Sequence, residues 1–224
     1  MRVLIACEES QAVTIEMRKL GHEAYSCDIQ ECSGGHPEWH IQDDALCQIR
    51  MGGWDMIIAH PPCTYLTRAG AVRLFNADHT IRDYNRLELG HAAARFFRQI
   101  WECDCPRIAI ENPVPMSIFQ LPHYTQIIEP YMFGDPYRKK TCLWLKNLPP
   151  LVAMYESPVE PLGLWVGATS KRTDPGITQR YILTSNRSPK MRSKTFPGIA
   201  RAMAVQWAGK ADICNEFNHK TDEK

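Results

Sequence analysis

The sequence predicts an α/β fold built on a doubly wound, mostly parallel sheet, and three observations support this prediction. Short apolar runs typical of buried strands alternate with segments of helical periodicity over the first half of the chain. The connections between these runs are short, as they are in successive βαβ units. The composition is that of a folded domain, with 44% hydrophobic and 23% charged residues among 224.

The apolar runs give the predicted strands in order. They cover residues 2–7, 23–29, 54–59, 106–110 and 141–145. The first strand begins almost at the amino terminus, and the third, ending Ile57-Ile58-Ala59, is apolar on both faces. Strands of this kind are buried between two layers of helices.

Helical spacing and end signals give the predicted helices. The spacing of Val13, Met17 and Leu20 predicts a helix over 11–20, with Ser10 as a plausible N-cap and Gly21 as the residue that ends it. Further helices are predicted at 43–51, 82–101 and 197–207, and another helical segment at 123–131. Loops are expected at 30–40 and 64–79, and an irregular stretch from 149 to 194.

Composition excludes several classes of protein. No run of about 18 apolar residues is present, so no membrane span is expected. The first residues enter a strand pattern and lack the apolar core of a signal peptide. Nine cysteines at irregular spacing do not form a secreted disulfide framework, which favours a reduced, cytoplasmic setting.

Charge is distributed unevenly along the chain. The net charge is only +1, but residues 168–201 contain eight basic residues and a single acidic one, Asp174, which gives this stretch a net charge of +7. The basic residues are Lys171, Arg172, Arg180, Arg187, Lys190, Arg192, Lys194 and Arg201. Such a stretch is expected of a protein that contacts a phosphate backbone, and a solvated basic loop is the alternative.

The segment His60-Pro61-Pro62-Cys63 carries the clearest chemical signal. It follows a buried strand that two prolines cannot continue, because each lacks a backbone N–H and fixes φ. Cys63 is therefore expected on a stiff turn just past the strand's carboxyl end. Ligands bind at that edge of an open α/β sheet, so Cys63 is positioned as a candidate nucleophile.

Other polar side chains are predicted at the same sheet edge. They are Glu8 and Glu9 after the first strand, Asp28 after the second, and Glu111 and Asn112 after a later one. A thiol next to a carboxyl group suits covalent addition, because the acid can protonate the atom that becomes basic as a thiolate adds.

Pro62-Cys63 after one strand and Glu111-Asn112 after a later one resemble the two signature motifs of DNA cytosine-5 methyltransferases. The resemblance runs in order along most of the chain. It implies a Rossmann-like class I methyltransferase fold, S-adenosyl-L-methionine as cofactor and DNA as substrate. It also implies four regions: a catalytic and cofactor-binding core at 1–150, a small basic insertion for target recognition at 151–193, a closing helix at 194–210 and a polar tail at 211–224.

The resemblance implies a role for each matching residue. Cys63 would attack ring carbon 6 of a flipped cytosine while Glu111 protonates ring nitrogen 3, and Arg138 and Lys140, from a basic motif, would hold the base or its phosphates. The cofactor residues implied are Ala6, Glu8, Glu9, Ser10, Asp28, Asp43, Asp44, Pro61 and Gly198. The charge pattern, separately from the resemblance, gives the candidate DNA-binding residues, which are Lys171, Arg172, Arg180, Arg187, Lys190, Arg192 and Lys194.

The chain departs from the family pattern at several positions. The stretch from Ala6 to Gln11 lacks the usual glycine-rich turn, which makes close approach of the backbone to a cofactor harder. Tyr137 stands where the basic motif usually has glutamine. His60 before the prolines partly resembles the Asp-Pro-Pro-Tyr motif of amino-methyltransferases, but Cys63 replaces the aromatic residue.

Alternatives therefore stay open at this point. The chain could be a degenerate methyltransferase that binds DNA or a protein partner, or an enzyme that modifies pyrimidines with another one-carbon donor or acts on nucleotides. A homodimer is possible because the insertion is short. Cys27, Cys32, His36 and His40 have a loosely zinc-like spacing, but their gaps differ from those of structural zinc sites, and no metal site is assigned.

Overall fold

The computed structural model of the protein describes residues 1–154, 160, 163–164 and 193–209. Its strands are β1 (Arg2–Ala6), β2 (Glu23–Asp28), β3 (His40–Gln42), β4 (Met56–Ala59), β5 (Ile108–Pro113), β6 (Gln126–Ile128), β7 (Tyr137–Arg138), β8 (Thr141–Lys146) and β9 (Gly163–Leu164). Its helices are α1 (Ala12–Lys19), α2 (Ala45–Met51), α3 (Ala71–Leu74), α4 (Tyr84–Trp101) and α5 (Pro197–Ala208). Short 3₁₀ turns lie at Pro37–Trp39, Arg68–Gly70, Ser117–Phe119 and Pro130–Phe133.

A seven-stranded sheet forms the centre of the molecule, with strand order β3-β2-β1-β4-β5-β8-β6. The first five strands in that order are parallel, and β8 runs antiparallel to both of its neighbours. The prediction of a doubly wound, mostly parallel, Rossmann-like sheet is confirmed. The direction of winding reverses between β1 and β4, and such a switch point leaves a crevice at the carboxyl ends of the two strands.

Helices cover both faces of the sheet, as a doubly wound fold requires. On one face, α1 and α5 pack together over β1, with Val13, Met17 and Met203 fully buried. On the other face, α2 and α4 cover the strand side chains that alternate with those on the first face. There, the Phe97 ring of α4 packs edge to face on Trp144 of β8, with ring centroids 4.9 Å apart. Strands buried on both sides explain the nearly continuous apolar runs in the sequence.

A smaller apolar cluster supports the loop that follows β4. It contains Leu66, Leu74, Ala94, Met116 and Phe119, all with little or no exposure. This cluster joins α3 and α4 to the turn after β5, so the loop predicted at 64–79 is packed and contains a short helix. Leu66 also accepts a hydrogen bond at its carbonyl from the Met116 amide, at 2.7 Å.

Several local predictions were wrong. The segment predicted to be helical at 123–131 contains strand β6, because Gln126–Ile128 pairs with the edge of β8 that β5 leaves free. The expected loop at 30–40 ends in β3, which pairs with β2 through only three residues. The predicted strand at 106–110 begins later and continues through Glu111 and Asn112 to Pro113.

Most of the insertion at 151–193 and all of the tail at 211–224 lie outside the described residues. Among the residues that are described, no helix combines the length and apolar character needed to cross a bilayer.

Candidate active site

The ends of β4 and β5 create the candidate site. The pairing of these strands stops where Ala59 faces Ile110, and beyond that point Glu111 and Asn112 keep only β8 as a strand neighbour. The amide of His60 still donates to the Ala6 carbonyl, at 2.9 Å. The chain then turns away at the prolines, which places the segment from His60 to Cys63 beside the uncovered side of β5.

Two side-chain contacts join these segments. Asn112 donates from Nδ2 to the Pro61 carbonyl at 2.9 Å, in a buried position. His60 Nδ1 lies 3.1 Å from Glu111 Oε2, with the two side chains only 9% and 13% exposed. The structure thus brings together the Pro-Pro-Cys turn and the Glu-Asn pair, which are about fifty residues apart in sequence.

The surroundings of the buried His60–Glu111 contact favour the charged form of each group. Burial alone would lower the pKa of His60, but the hydrogen bond and charge of Glu111, with the charge of Glu8, raise it above its usual value. Burial would raise the pKa of Glu111, but the hydrogen bond from His60 and the charge of Lys139 lower it. Both shifts favour an imidazolium that donates to a carboxylate.

Cys63 occupies a turn held by backbone hydrogen bonds. Its carbonyl accepts from the amides of Leu66 and Thr67, at 3.1 and 3.2 Å, and the residue is half-buried. Arg86, a buried residue of α4, donates from Nη2 to the Thr64 carbonyl at 2.7 Å. The thiol therefore belongs to a constrained turn at the crevice rather than to the apolar core.

Other cysteines have properties that suit buried thiols. Burial raises the pKa of Cys27 to about 12 and that of Cys142 to about 11, with nearby carboxylates adding to the effect. Burial, followed by the charge of Asp28, raises the pKa of Cys7 as well. Because the thiolate is the nucleophile, these three side chains are unsuited to covalent catalysis near neutral pH.

Glu8 has a structural role that the sequence did not reveal. Its carboxylate accepts hydrogen bonds from the Val13 amide at 2.7 Å and the Thr14 hydroxyl at 2.8 Å, so it caps α1, whose own N-cap residue provides no side-chain bond. Burial raises the pKa of Glu8, and the charge of His60 partly offsets that rise. Glu9 Oε2, by contrast, is buried without a hydrogen-bond partner among the described residues.

The turn after β1 adopts glycine-like backbone angles without glycine. Cys7 has φ of 60° and Gln11 has φ of 58°, values that side chains disfavour. Gln11 also holds the following loop, because its Oε1 accepts from the His36 amide and its Nε2 donates to the His36 carbonyl, at 3.0 and 2.8 Å. The missing glycines are thus replaced by a strained turn that the loop stabilises.

The acidic residues predicted for the cofactor gather at the ends of β2 and β3. The Asp43 amide donates to the Asp28 carbonyl at 3.1 Å. Asp44 caps α2 by accepting from the Leu46 amide at 2.9 Å, and Asp43 Oδ2 accepts from Gln48 at 2.7 Å. Asp28 is half-buried beside Ile29, an apolar side chain that is 75% exposed.

The basic motif places a different cation near the acid from the two that were predicted. Arg138 is exposed and pairs with Glu129 at 4.0 Å, and Lys140 is exposed. Lys139, between them, is half-buried, and its charge contributes to lowering the pKa of both Glu111 and His60. Lys139 and His60 are therefore the functional candidates that sequence reasoning missed. Nothing in the local sequence pattern distinguishes Lys139 from its basic neighbours. His60 was noted in the sequence, but its contact with Glu111 was not predicted.

The remaining predicted residues are only partly described. Lys194 donates to the Ser33 hydroxyl at 3.0 Å, and the Gly198 amide donates to Asp135 at 2.9 Å. A Cβ on Gly198 would lie 2.0 Å from the Phe133 carbonyl oxygen, so the close approach of α5 requires glycine. Outside the described residues lie Lys171, Arg172, Arg180, Arg187, Lys190 and Arg192.

The residues with zinc-like spacing make other contacts. His36 stacks on Trp39 at 3.9 Å, His40 Nδ1 lies 2.9 Å from the Ser26 hydroxyl, and the Cys27 thiol donates to the Asp43 carbonyl at 3.4 Å. In the described ranges, no group of three or more His, Cys, Asp or Glu side chains is arranged to hold a metal ion.

Comparisons with known proteins give only distant similarities. No protein-family model and no curated protein matches the chain. Among solved structures, the Entamoeba histolytica methyltransferase EhMeth matches 75% of this chain with 12% identity and a TM-score of 0.42. An E. coli prophage-encoded protein described as a DNA modification methyltransferase matches 79% with 14% identity and a TM-score of 0.40. The chain spans 60% and 63% of the lengths of those two proteins.

Proposed function

We propose that this protein methylates carbon 5 of cytosine in DNA, with S-adenosyl-L-methionine as methyl donor and Cys63 as covalent nucleophile. The observation that carries the proposal is the junction of the Pro-Pro-Cys turn with the Glu-Asn pair, made by the Asn112–Pro61 hydrogen bond and the His60–Glu111 pair. A nucleophile and an acid at one strand edge are what conjugate addition to a pyrimidine needs.

Each residue at the junction has a role in this reaction. The thiolate of Cys63 adds to ring carbon 6 of an extruded cytosine. Electron density moves from the C5=C6 bond toward C4 and onto ring nitrogen 3, which takes a proton from Glu111. Carbon 5 becomes nucleophilic and is then methylated. Loss of its proton and departure of the thiolate restore the aromatic ring.

The residues at the ends of β1, β2 and β3 fit the proposed cofactor. Glu9 offers a buried carboxylate oxygen that lacks a partner in the described structure, and it suits the amino group of the cofactor. Asp28 suits the ribose hydroxyls, and exposed Ile29 beside it offers an apolar surface for the adenine. When bound there, the cofactor supplies an electrophilic methyl group. Because its carboxylate caps α1, Glu8 supports this pocket as a structural residue.

The proposal extends to the regions that bind DNA. The basic insertion, together with Lys194, would contact phosphates, and Arg138 and Lys140, which are exposed, would face the substrate. Phosphate contacts release counterions, so DNA affinity should fall steeply with added salt. A flat salt response would argue against a phosphate-binding role for these residues.

Methyl transfer tests the proposal directly. The protein is incubated with labelled cofactor and mixed DNA, and the nucleosides are analysed for 5-methylcytosine. Cys63→Ala should abolish the product and leave cofactor affinity unchanged by calorimetry, whereas Cys47→Ala, a change at an exposed cysteine on α2, should be fully active. Full activity of Cys63→Ala would refute the covalent mechanism.

Trapping the adduct provides an independent test. An oligonucleotide with 5-fluorocytosine should become attached to the protein, because fluorine blocks the final elimination. Mass spectrometry should place the added mass on the peptide that contains Cys63. Binding of cofactor with no transfer to DNA would favour a pyrimidine-nucleotide substrate. Binding of neither S-adenosylmethionine nor S-adenosylhomocysteine would favour a non-catalytic binding protein.

A further inference from the structure

The position of His60 indicates a role beyond packing. His60 is the first residue beyond β4, held on one side by the hydrogen bond from its amide to the Ala6 carbonyl and on the other by its peptide bond to Pro61. Its Nδ1 lies against Glu111, but its Nε2 is buried without a partner in the described part of the chain. Unpartnered buried polar atoms are rare in native proteins, and they often mark catalytic sites.

Charged groups from three elements face this ring. Glu8 approaches from the turn after β1 and Glu111 from β5, and both favour the imidazolium. Lys139, from the segment between β7 and β8, opposes it. Two carboxyl groups favour the imidazolium and one ammonium group opposes it, and the pKa of His60 is raised on balance, which suits the storage of a proton.

We propose that His60 is a positioning residue that stores the proton used by Glu111. This inference rests on the proposed function, because it assigns the source of the proton given to ring nitrogen 3 of cytosine. The structural basis is the 3.1 Å contact between His60 Nδ1 and Glu111 Oε2, two side chains that are largely removed from solvent.

The proton passes in two steps. As the pyrimidine arrives, the Nδ1–H bond breaks and an Oε2–H bond forms, which leaves a neutral imidazole and a neutral carboxylic acid. Rotation about the Cγ–Cδ bond of Glu111, a soft torsion, then turns the protonated oxygen toward the base. Ring nitrogen 3 takes this proton while the thiolate of Cys63 adds to carbon 6. On release of the product the proton returns by the same route.

Two substitutions at position 60 separate proton storage from packing. His60→Asn places an amide N–H near the position of Nδ1, so the hydrogen bond to Glu111 is kept but the proton store is lost. His60→Gln places its amide near Nε2 and loses that hydrogen bond. Both variants should bind cofactor like the unmodified protein and should melt cooperatively.

The pH profile of methyl transfer gives the decisive readout. For His60→Asn the rate should lie within about threefold of the unmodified rate at pH 4.5, the usual carboxyl pKa, and at least tenfold below it at pH 7, because without the histidine Glu111 has to take its proton from solvent. His60→Gln should be impaired at both pH values. Identical profiles for His60→Asn and the unmodified protein would overturn the proposal and leave His60 a structural residue.

A second measurement does not depend on activity. Side-chain NMR of the histidines, with the His60 signal identified by its absence in His60→Asn, should give a pKa above 6.5 that falls in Glu111→Gln, where burial is no longer opposed by the charge of Glu111. An unchanged His60 pKa in Glu111→Gln would overturn proton storage. Absence of 5-methylcytosine from the unmodified protein would instead refute the proposed function, while the titration would still decide whether Glu111 holds the proton on His60.

Discussion

Glu111→Gln should destabilise the fold in a way that depends on pH. The substitution preserves the shape of the side chain and leaves one amide oxygen to accept from His60, but it removes the charge that faces His60 at 3.1 Å. A hydrogen bond between charged groups contributes about 1.5–3 kcal/mol and a neutral one about 0.5–1.5 kcal/mol, so we expect a loss of about 1–2 kcal/mol where both groups are ionised.

The pH window follows from the two pKa shifts. The pKa of His60 is raised above its usual 6.5, so its contribution to stability is complete below pH 6.5 and is lost as pH rises through the folded value. The pKa of Glu111 is lowered from its usual 4.5, so its contribution is complete above pH 4.5 and is lost as pH falls through the folded value. The two contributions are therefore both complete between these values.

Thermal unfolding at a series of pH values measures this difference. Near pH 5.5 the melting temperature of Glu111→Gln should lie about 2–8 °C below that of the unmodified protein, given roughly 2–4 °C per kcal/mol for a domain of this size. The difference should shrink above the folded pKa of His60. A difference of equal size from pH 5 to pH 9 would refute the assignment of a charged pair.

Three further substitutions test the surroundings of the site. Lys139→Gln should raise the pKa of His60 in side-chain NMR, because a positive charge that opposes the imidazolium is lost; Lys140→Gln, at an exposed neighbour, should leave that pKa unchanged, and equal effects would contradict the placement of the cation. Arg86→Met should lower the free energy of unfolding in urea by about 1–3 kcal/mol, since a buried charged donor to the loop after β4 is removed. Gly90→Ala should destabilise α4 by about 1–2 kcal/mol despite the higher helix propensity of alanine, because the new Cβ would lie within 2.1 Å of the buried ring of Phe119. The double variant Gly90→Ala, Phe119→Leu should recover part of that loss by the same measurement, and no recovery would mean that the clash is not the cause.

Much of the fold could be predicted because its determinants are local. The buried strands β1 and β4 are continuous apolar runs, and α1 and α4 have clear helical spacing, so their positions were predicted within two residues. The end of β4 was marked by two prolines that no strand can continue. Strands β3 and β6 were missed because each has only three residues, too few for a pattern, and forms through pairing with a neighbour.

The candidate site could likewise be predicted only where its determinants are local. The types and order of Cys63, Glu111 and Asn112 were readable, since each residue lies at a strand end that periodicity marks. The partner of Glu111 was not readable, because the contact with His60 depends on β4 and β5 being neighbours and on β4 stopping first. Which of Lys139 and Lys140 acts on Glu111 likewise depends on how the chain connects β7 to β8.

The sequence by itself determined the doubly wound class of fold, the turn that holds Cys63 and the sheet edge at which the chemistry is proposed, because apolar periodicity and proline geometry act over a few residues. Only the tertiary structure decided that Glu8 caps a helix, that His60 and Glu111 form a buried pair and that Lys139 is the lysine of the basic motif whose charge acts on the acid. These pairings arise between segments distant in sequence, where burial and charge set the ionisation of each group and no local pattern records the partner.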